Sequence, residues 1–408
     1  MPELLGYAAP GSPSPALRRC VGDPDGFART YWGQRPLLRD TGGFADLLDL
    51  DAVDELLSVR GLRTPFLRVA HEGQLVPAAR FTGGGGLGAE VGDQVRDDRV
   101  LDLLSAGATL VLQGLHRIWP PLQEFCLDLS AELGCAVQAN AYLTPAGNQG
   151  FATHYDTHDV FVLQVAGVKH WRVHEPVQPD PLERQPWGGF ADEVAATASG
   201  PAHLDHVLSP GELLYLPRGW LHAAAAVDAT SLHITLGLRR PTRYTIAQAL
   251  LDLACADPQL RAGLPLGLDL TDPAQLAPHL AATVEALHDM ARKADPADVA
   301  RALRTGQWTA HRPAPVRPVA QAAFAAGLTD GDLVRVRPGL RFTCVDGRLE
   351  LPGGRTLTFP AGCQEALAAV LAGPPVRVGE LPGLDDTESR LVLVRRLLRE
   401  AVLVPAGG

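Results

Sequence analysis

"HYDTHDVFVLQVAGVKHWRV", residues 154–173, surrounds an apolar run with His154, Asp156, His158, Asp159 and Lys169. The run Val160–Ala166 has the length and β-branched content of a buried strand, so the titratable groups flanking it stand at a core. Charge there is costly unless it grips something. His154 and Asp156 are two residues apart at the entrance to the strand, so their side chains share a face and can hold one ion. An imidazole and a carboxylate are two of the three ligands of the 2-His-1-carboxylate facial triad, which holds Fe(II) and leaves open positions. The third ligand has to come from a later strand.

"GELLYLPRGWLH", residues 211–222, supplies it: Gly211, Pro217, Gly219 and His222 are spaced G-x5-P-x-G-x2-H. The Pro-Arg-Gly turn ends one strand and begins another, which throws His222 back toward His154 and Asp156. Two decoys compete. His203 and His206 in "HLDH" repeat the H-x-D pattern in a segment rich in Ala, Ser, Gly and Pro. His158 makes H-x-x-x-H with His154, a zinc spacing only if the segment were helical, and its Val-rich continuation reads as strand.

Lys169 follows Asp156 by thirteen residues, past a Gly167–Val168 turn, and is expected on a strand returning beside residues 159–165. Basic residues in this chain are nearly all Arg; Lys169 and Lys293 are the lysines. A compact buried cation at this position asks for an anion, and a carboxylate-bearing cosubstrate satisfies it.

Outward from this centre, residues 107–240 break into short runs of period two or continuous apolar character: "ATLVLQGL", "AVQANAYLT", "DVFVLQVAG", "KHWRVHE", "GELLYLP", "HAAAAV" and "SLHITLGL". They read as a β-sandwich or barrel interrupted by one helix, "PPLQEFCLDLSAELG". The first hundred residues mix helical signals, such as "DAVDELLSV" with an N-cap at Asp51, and loops such as "FTGGGGLG". After Arg240 the period turns helical: a capping box of Thr245 and Gln248 precedes Ile246, Ala249, Leu250 and Leu253, and a second stripe runs Leu276, Leu280, Val284, Leu287, Ala291. Both read as packing faces, with dimerisation through residues 245–305 as the other use of so apolar a pair. "TAHRPAPVRP" reads as a linker, and short strands followed by two helices suit a small winged-helix-like domain. The domains expected are therefore 1–240, 241–310 and 311–408.

The 408 residues carry a net charge of −10, which argues against a free nucleic-acid binder and favours a basic partner. Cys20, Cys126, Cys135, Cys255, Cys344 and Cys363 stand apart, as isolated thiols do. The opening "MPELLGYAAPGSPSP" lacks the order of a signal peptide and no run reaches membrane-spanning length, so a cytoplasmic protein is expected.

In "NAYLTPAGNQGFATHYDTHDVFVLQVAGVKHWRV", "GELLYLPRGWLHAA" and "SLHITLGL" the chain resembles the JmjC-type, cupin-like Fe(II) and 2-oxoglutarate-dependent oxygenases of the ribosomal oxygenase branch. The resemblance implies a mixed α and β fold with a double-stranded β-helix (cupin or jelly-roll) catalytic domain, a helical dimerisation domain and a C-terminal winged-helix-like domain. It implies His154, Asp156 and His222 as iron ligands and Lys169 as the binder of the distal carboxylate of 2-oxoglutarate. Asn140 and Tyr142 match an N-x-Y pair that lines the cosubstrate and substrate pocket. The four alanines after His222 depart from the broader cupin pattern, which has an Asn there. The activity implied consumes O2 and 2-oxoglutarate and hydroxylates an Arg or His side chain of a ribosomal protein. Peptide or small-molecule substrates, a metal-dependent cupin enzyme without 2-oxoglutarate, and a metal-free binding scaffold are the competing readings.

Overall fold

The strand from Asp159 to Ala166 is buried along its length apart from its last residue, and the fold is organised around it. The computed structural model describes residues 4–7 and 16–407, so most of the opening segment read above for a signal peptide lies outside the described residues. Strands in chain order are β1 (Leu4–Tyr7), β2 (Leu37–Asp40), β3 (Leu67–His71), β4 (Gln74–Leu75), β5 (Thr82–Gly83), β6 (Gln94–Val95), β7 (Thr109–Leu112), β8 (Ala136–Thr144), β9 (Asp159–Ala166), β10 (Lys169–His174), β11 (Leu204–Leu208), β12 (Glu212–Leu216), β13 (Leu221–Ala226) and β14 (Ser231–Arg239). The described residues up to Arg240, β1 excepted, form one unit; β1 and the residues from Pro241 onward form a second.

In the first unit an antiparallel sheet of order β2-β12-β9-β14-β8-β7-β3-β4 is accompanied by a smaller sheet, β11-β10-β13. Alternation along β9 explains its continuous apolar run. Val160 and Val162 turn inward to Trp171, Val173, Leu208, Leu214, Leu216 and Trp220, while Phe161 and Leu163 join the larger core on the other face. That second core takes in Leu17, Phe27, Leu56, Leu122 and Leu129 from the helices α1 (Ala16–Val21), α2 (Pro24–Thr30), α3 (Leu50–Ser58) and α6 (Pro120–Leu133). A strand with both faces covered has no polar alternation to display. The N-cap of α3 is Asp49, not Asp51: the extended Asp49 accepts from the Ala52 N–H at 2.8 Å, and Asp51 is already helical.

Lys169 is not on a strand paired with β9, as the turn spacing suggested. β10 pairs with β11 and β13 in the smaller sheet. Gly167 makes the crossing: its φ is +59° and a Cβ would stand 2.2 Å from the Thr230 carbonyl oxygen, so no side chain fits. A second crossing lies between β12 and β13. Gly219, with φ +88°, would drive a Cβ to 2.7 Å from the Gln178 carbonyl oxygen. Buried Asp159 holds this turn, accepting from the Arg218 N–H at 3.0 Å and the Tyr215 hydroxyl at 2.8 Å.

The second unit begins with α8 (Arg243–Ala254), whose capping box is Thr242 with Thr245 rather than Thr245 with Gln248. Thr242 is extended, and each threonine hydroxyl accepts from the other's backbone N–H. The short Pro258–Arg261 helix, a long helix Pro273–Lys293 and a third, Pro296–Ala310, follow. The apolar stripes are covered only in part: Ala249 is buried and Leu250, Leu253, Leu276 and Leu287 are half-buried, whereas Ile246, Leu280 and Val284 are 47, 56 and 52% exposed. The buried positions of these helices are small residues, Ala249, Ala254 and Ala286. Of the expected linker, Thr309 and Ala310 close the third helix; residues 311–317 are irregular but tied down by the Ala314 N–H, which donates to the Pro338 carbonyl at 2.8 Å. Beyond them two small sheets pack with the helices Pro318–Ala326, Gln364–Leu371 and Thr387–Arg399 around a separate core. β1 pairs antiparallel with the strand Arg341–Val345 in one of those sheets.

Candidate active site

His154 and His222 meet through the backbone before their side chains do. The two residues form an isolated antiparallel bridge, the His154 N–H donating to the His222 carbonyl at 3.2 Å and the His222 N–H to the His154 carbonyl at 2.8 Å. Their ring centroids lie 4.5 Å apart. His154 Nδ1 stands 2.8 Å from the Ala152 carbonyl oxygen and His222 Nδ1 3.1 Å from that of Trp220. A carbonyl only accepts, so each Nδ1 carries the proton and each Nε2 presents a lone pair, the tautomer a metal requires.

Asp156 completes the group. Its carboxylate lies 3.8 Å from His222 Nε2, and its backbone carbonyl accepts from the Gly219 N–H at 3.0 Å, tying it to the sheet-crossing turn that delivers His222. One donor atom from each of His154, Asp156 and His222 falls within 4.8 Å of the others, and among the described residues this is the one such group able to hold an ion. Burial, followed by the facing His154, pushes the His222 imidazole down to about 4, so it is neutral. Burial raises the Asp156 carboxyl, but the nearby His158, His222 and His154 outweigh it and hold it below the usual carboxylate range. Two imidazoles and one carboxylate make a fitting donor set for a divalent metal.

A cavity of about 280 Å³ joins this group to Lys169. Its walls come from both sheets: Val160 and Val162 on β9, Tyr142 on β8 and His233 and Thr235 on β14 face Lys169 and Trp171 on β10 and Ala223 and Ala224 on β13. Lys169 is 3% exposed. Its ammonium donates to Thr144 Oγ1 at 3.0 Å and lies 3.4 Å from His233 Nδ1, neither of them acidic. Burial pulls it down to about 7. A buried cation whose protein partners are all neutral suits a site that receives an anion from outside.

Tyr142 lines the cavity and stacks on His233, ring centroids 4.9 Å apart; burial, then the Asp156 charge, raises its phenol. Asn140 sits on the same face of β8, where its Oδ1 accepts from the Gly114 N–H at 3.0 Å. The decoys point elsewhere: His206 Nε2 meets Glu212 at 3.1 Å, and His203 packs edge-on against Trp220. His158 lies 3.4 Å from the Gln138 amide, in space that Gly237 leaves by lacking a Cβ. Thr144, His233, Arg68 and Trp187 also border the site or support Lys169, and the sequence reading did not single them out. Thr144 continues the alternation Asn140, Tyr142, and His233 is the lone titratable residue inside an apolar strand; those two signals were available. All six cysteines are free.

Residues 120–246 match the JmjC domain family. Ribosomal oxygenase 1 of Gallus gallus is 35% identical over 254 residues, 60% of this chain and 40% of that protein. The bifunctional lysine-specific demethylase and histidyl-hydroxylase NO66 of Drosophila persimilis is 32% identical over 253 residues, 59% of this chain and 35% of that protein. The chain thus matches well under half the length of these relatives. The solved structure of YcfD, a ribosomal oxygenase from Escherichia coli in complex with cobalt and 2-oxoglutarate, covers 95% of this chain and 99% of its own with a TM-score of 0.54 at 17% identity, a likeness of fold.

Proposed function

We propose that this JmjC-domain protein is an Fe(II) and 2-oxoglutarate-dependent oxygenase that hydroxylates an Arg or His side chain of a ribosomal protein in the cytoplasm. The observation that carries the proposal is the sharing of one cavity by the His154, Asp156 and His222 cluster and the buried Lys169, which has no acidic partner at its ammonium. With 2-oxoglutarate and O2, Fe(II) held there would supply the oxidising power to convert a C–H bond to C–OH, the cosubstrate leaving as succinate and CO2. The protein's own part is to bind, orient and exclude water. His154, Asp156 and His222 hold the metal on one side and leave the cavity side open. Lys169 binds the distal carboxylate, Tyr142 lines the cosubstrate and substrate side, and Val160, Val162 and Trp171 keep the enclosed space apolar. Asn140, engaged by the Gly114 N–H, is not among the residues lining the cavity. The excess of acidic residues favours encounter with a basic partner such as a ribosomal protein.

In the same reading, residues 241–310 are the dimerisation element of a homodimer, supported by the exposed Ile246, Leu251, Leu280 and Val284, and residues 311–408 are a winged-helix-like domain. Anaerobic loading with Fe(II), followed by 2-oxoglutarate and bacterial ribosomal proteins in air, tests the activity. Succinate formation with a 16 Da gain on one protein, both lost in His222→Ala, is the expected result. Absence of 2-oxoglutarate turnover with every protein offered overturns it.

A further inference from the structure

A lysine ammonium has three N–H donors and no acceptor, and at Lys169 two of the three are taken. Thr144 Oγ1 accepts one at 3.0 Å, and His233 Nδ1, at 3.4 Å, faces a second. As long as Lys169 is an ammonium it can only donate, and His233 Nδ1 facing it is then the bare nitrogen of a neutral ring. Burial, then Lys169 and His222, keep the imidazole well below its usual range, in agreement with that assignment.

Both acceptors are themselves fixed. The His233 ring lies parallel to Tyr142 at 4.9 Å, with 1° between the planes, and edge-on to Trp171 at 5.5 Å. Thr144 Oγ1 also accepts from the Thr109 hydroxyl at 3.1 Å, and the register of the sheet sets His233 directly opposite Tyr142. The array is buried and contains no carboxylate, which leaves the third N–H of Lys169 for whatever enters the cavity.

We infer that His233 and Thr144 are positioning residues that aim the free N–H of Lys169 at the terminal carboxylate of a dicarboxylate cosubstrate. This rests on the oxygenase reading and adds to it. It also accounts for a lysine in an arginine-rich chain: a planar fork with five donors needs acceptors in other directions, and two neutral acceptors placed for a tetrahedral ammonium do not supply them.

Calorimetric titration of the full-length protein, loaded with Mn(II) and kept under nitrogen, with 2-oxoglutarate and separately with succinate, tests this without turnover. His233→Phe keeps a ring against Tyr142 and removes the acceptor; His233→Asn keeps an acceptor and removes the ring. The inference expects the Phe variant to bind both dicarboxylates about tenfold more weakly, and the Asn variant to stay within about threefold of wild type. Thr144→Val and Thr144→Ser form a second pair with the same expectation, should the His233 variants fail to fold. In turnover, the KM for 2-oxoglutarate rises in the Phe and Val variants while kcat at saturation holds. Binding by the Phe and Val variants equal to wild type overturns the inference, as does equal weakening of Phe and Asn, which marks a packing role alone. Wild-type protein that binds no 2-oxoglutarate overturns the functional reading itself, before any variant is compared.

Discussion

Replacing Lys169 with Met separates the stability of this fold from its use. In the unfolded chain the lysine stays protonated up to about pH 10.5, whereas burial in the folded chain lets it hold the proton only up to about 7. Between those values the unfolded state binds the extra proton, so wild-type stability rises with pH across that window, and below it the full cost applies. At ~1.4 kcal/mol per pH unit the interval amounts to about 5 kcal/mol. Removing the ammonium relieves that cost but strips Thr144 and His233 of a donor, at about 1–3 kcal/mol in all, so Lys169→Met should be more stable than wild type by about 2–4 kcal/mol near pH 7. Thermal and urea unfolding of the metal-free proteins from pH 6.5 to 9.5 checks this. The advantage of Lys169→Met shrinks as pH rises, and added 2-oxoglutarate with metal stabilises wild type alone. A destabilised variant, or a difference that does not move with pH, would refute the reasoning that the ammonium is buried without an anion.

Gly167→Ala should destabilise the first unit by about 3 kcal/mol or more, because a Cβ meets the Thr230 carbonyl in a left-handed turn; the urea midpoint reads it, and a loss under 1 kcal/mol contradicts the geometry. With the His222 imidazole pushed down to about 4, protons compete for this ligand only well below the ordinary imidazole range, so its ring stays neutral as pH falls through 6.5 and takes up a proton approaching 4. A His222 ring titration centred near pH 6.5 in NMR spectra of the metal-free protein would contradict that. Leu280→Glu with Val284→Glu should convert the proposed dimer to monomers in light scattering and leave 2-oxoglutarate affinity unchanged.

The strands bearing the site were legible because each is short and apolar, and the convergence of His154, Asp156 and His222 because they sit on motif-like spacings. What escaped was pairing. The Gly167–Val168 turn looks like a hairpin in sequence, yet Gly167 carries the chain to another sheet, and the contact that forbids a side chain there comes from Thr230, far along the chain. The supporters of Lys169 escaped for the same reason: Thr144 and His233 belong to strands that meet it only through the register of β8 with β14. At α3 and α8 the caps fell two or three residues before the expected ones, since Asp49 and Asp51, like Thr242 and Thr245, stand close enough together to satisfy the same local rule. The stripe on residues 276–291 has helical periodicity, but periodicity does not say whether a partner covers it.

The backbone bridge between His154 and His222 has a bearing on metal exchange. Two main-chain hydrogen bonds, not the ion, set the spacing of the imidazoles, so the ordering cost of two of the three ligands is met when the sheets form. Asp156 stands outside the bridge, its backbone held instead by the Gly219 N–H, so only its side-chain rotation is left to be set by an ion. On the proposed reading, the protein would then exchange metals without unfolding, and which ion it carried would be governed by supply and by the softness of two nitrogens and an oxygen rather than by a rigid cage.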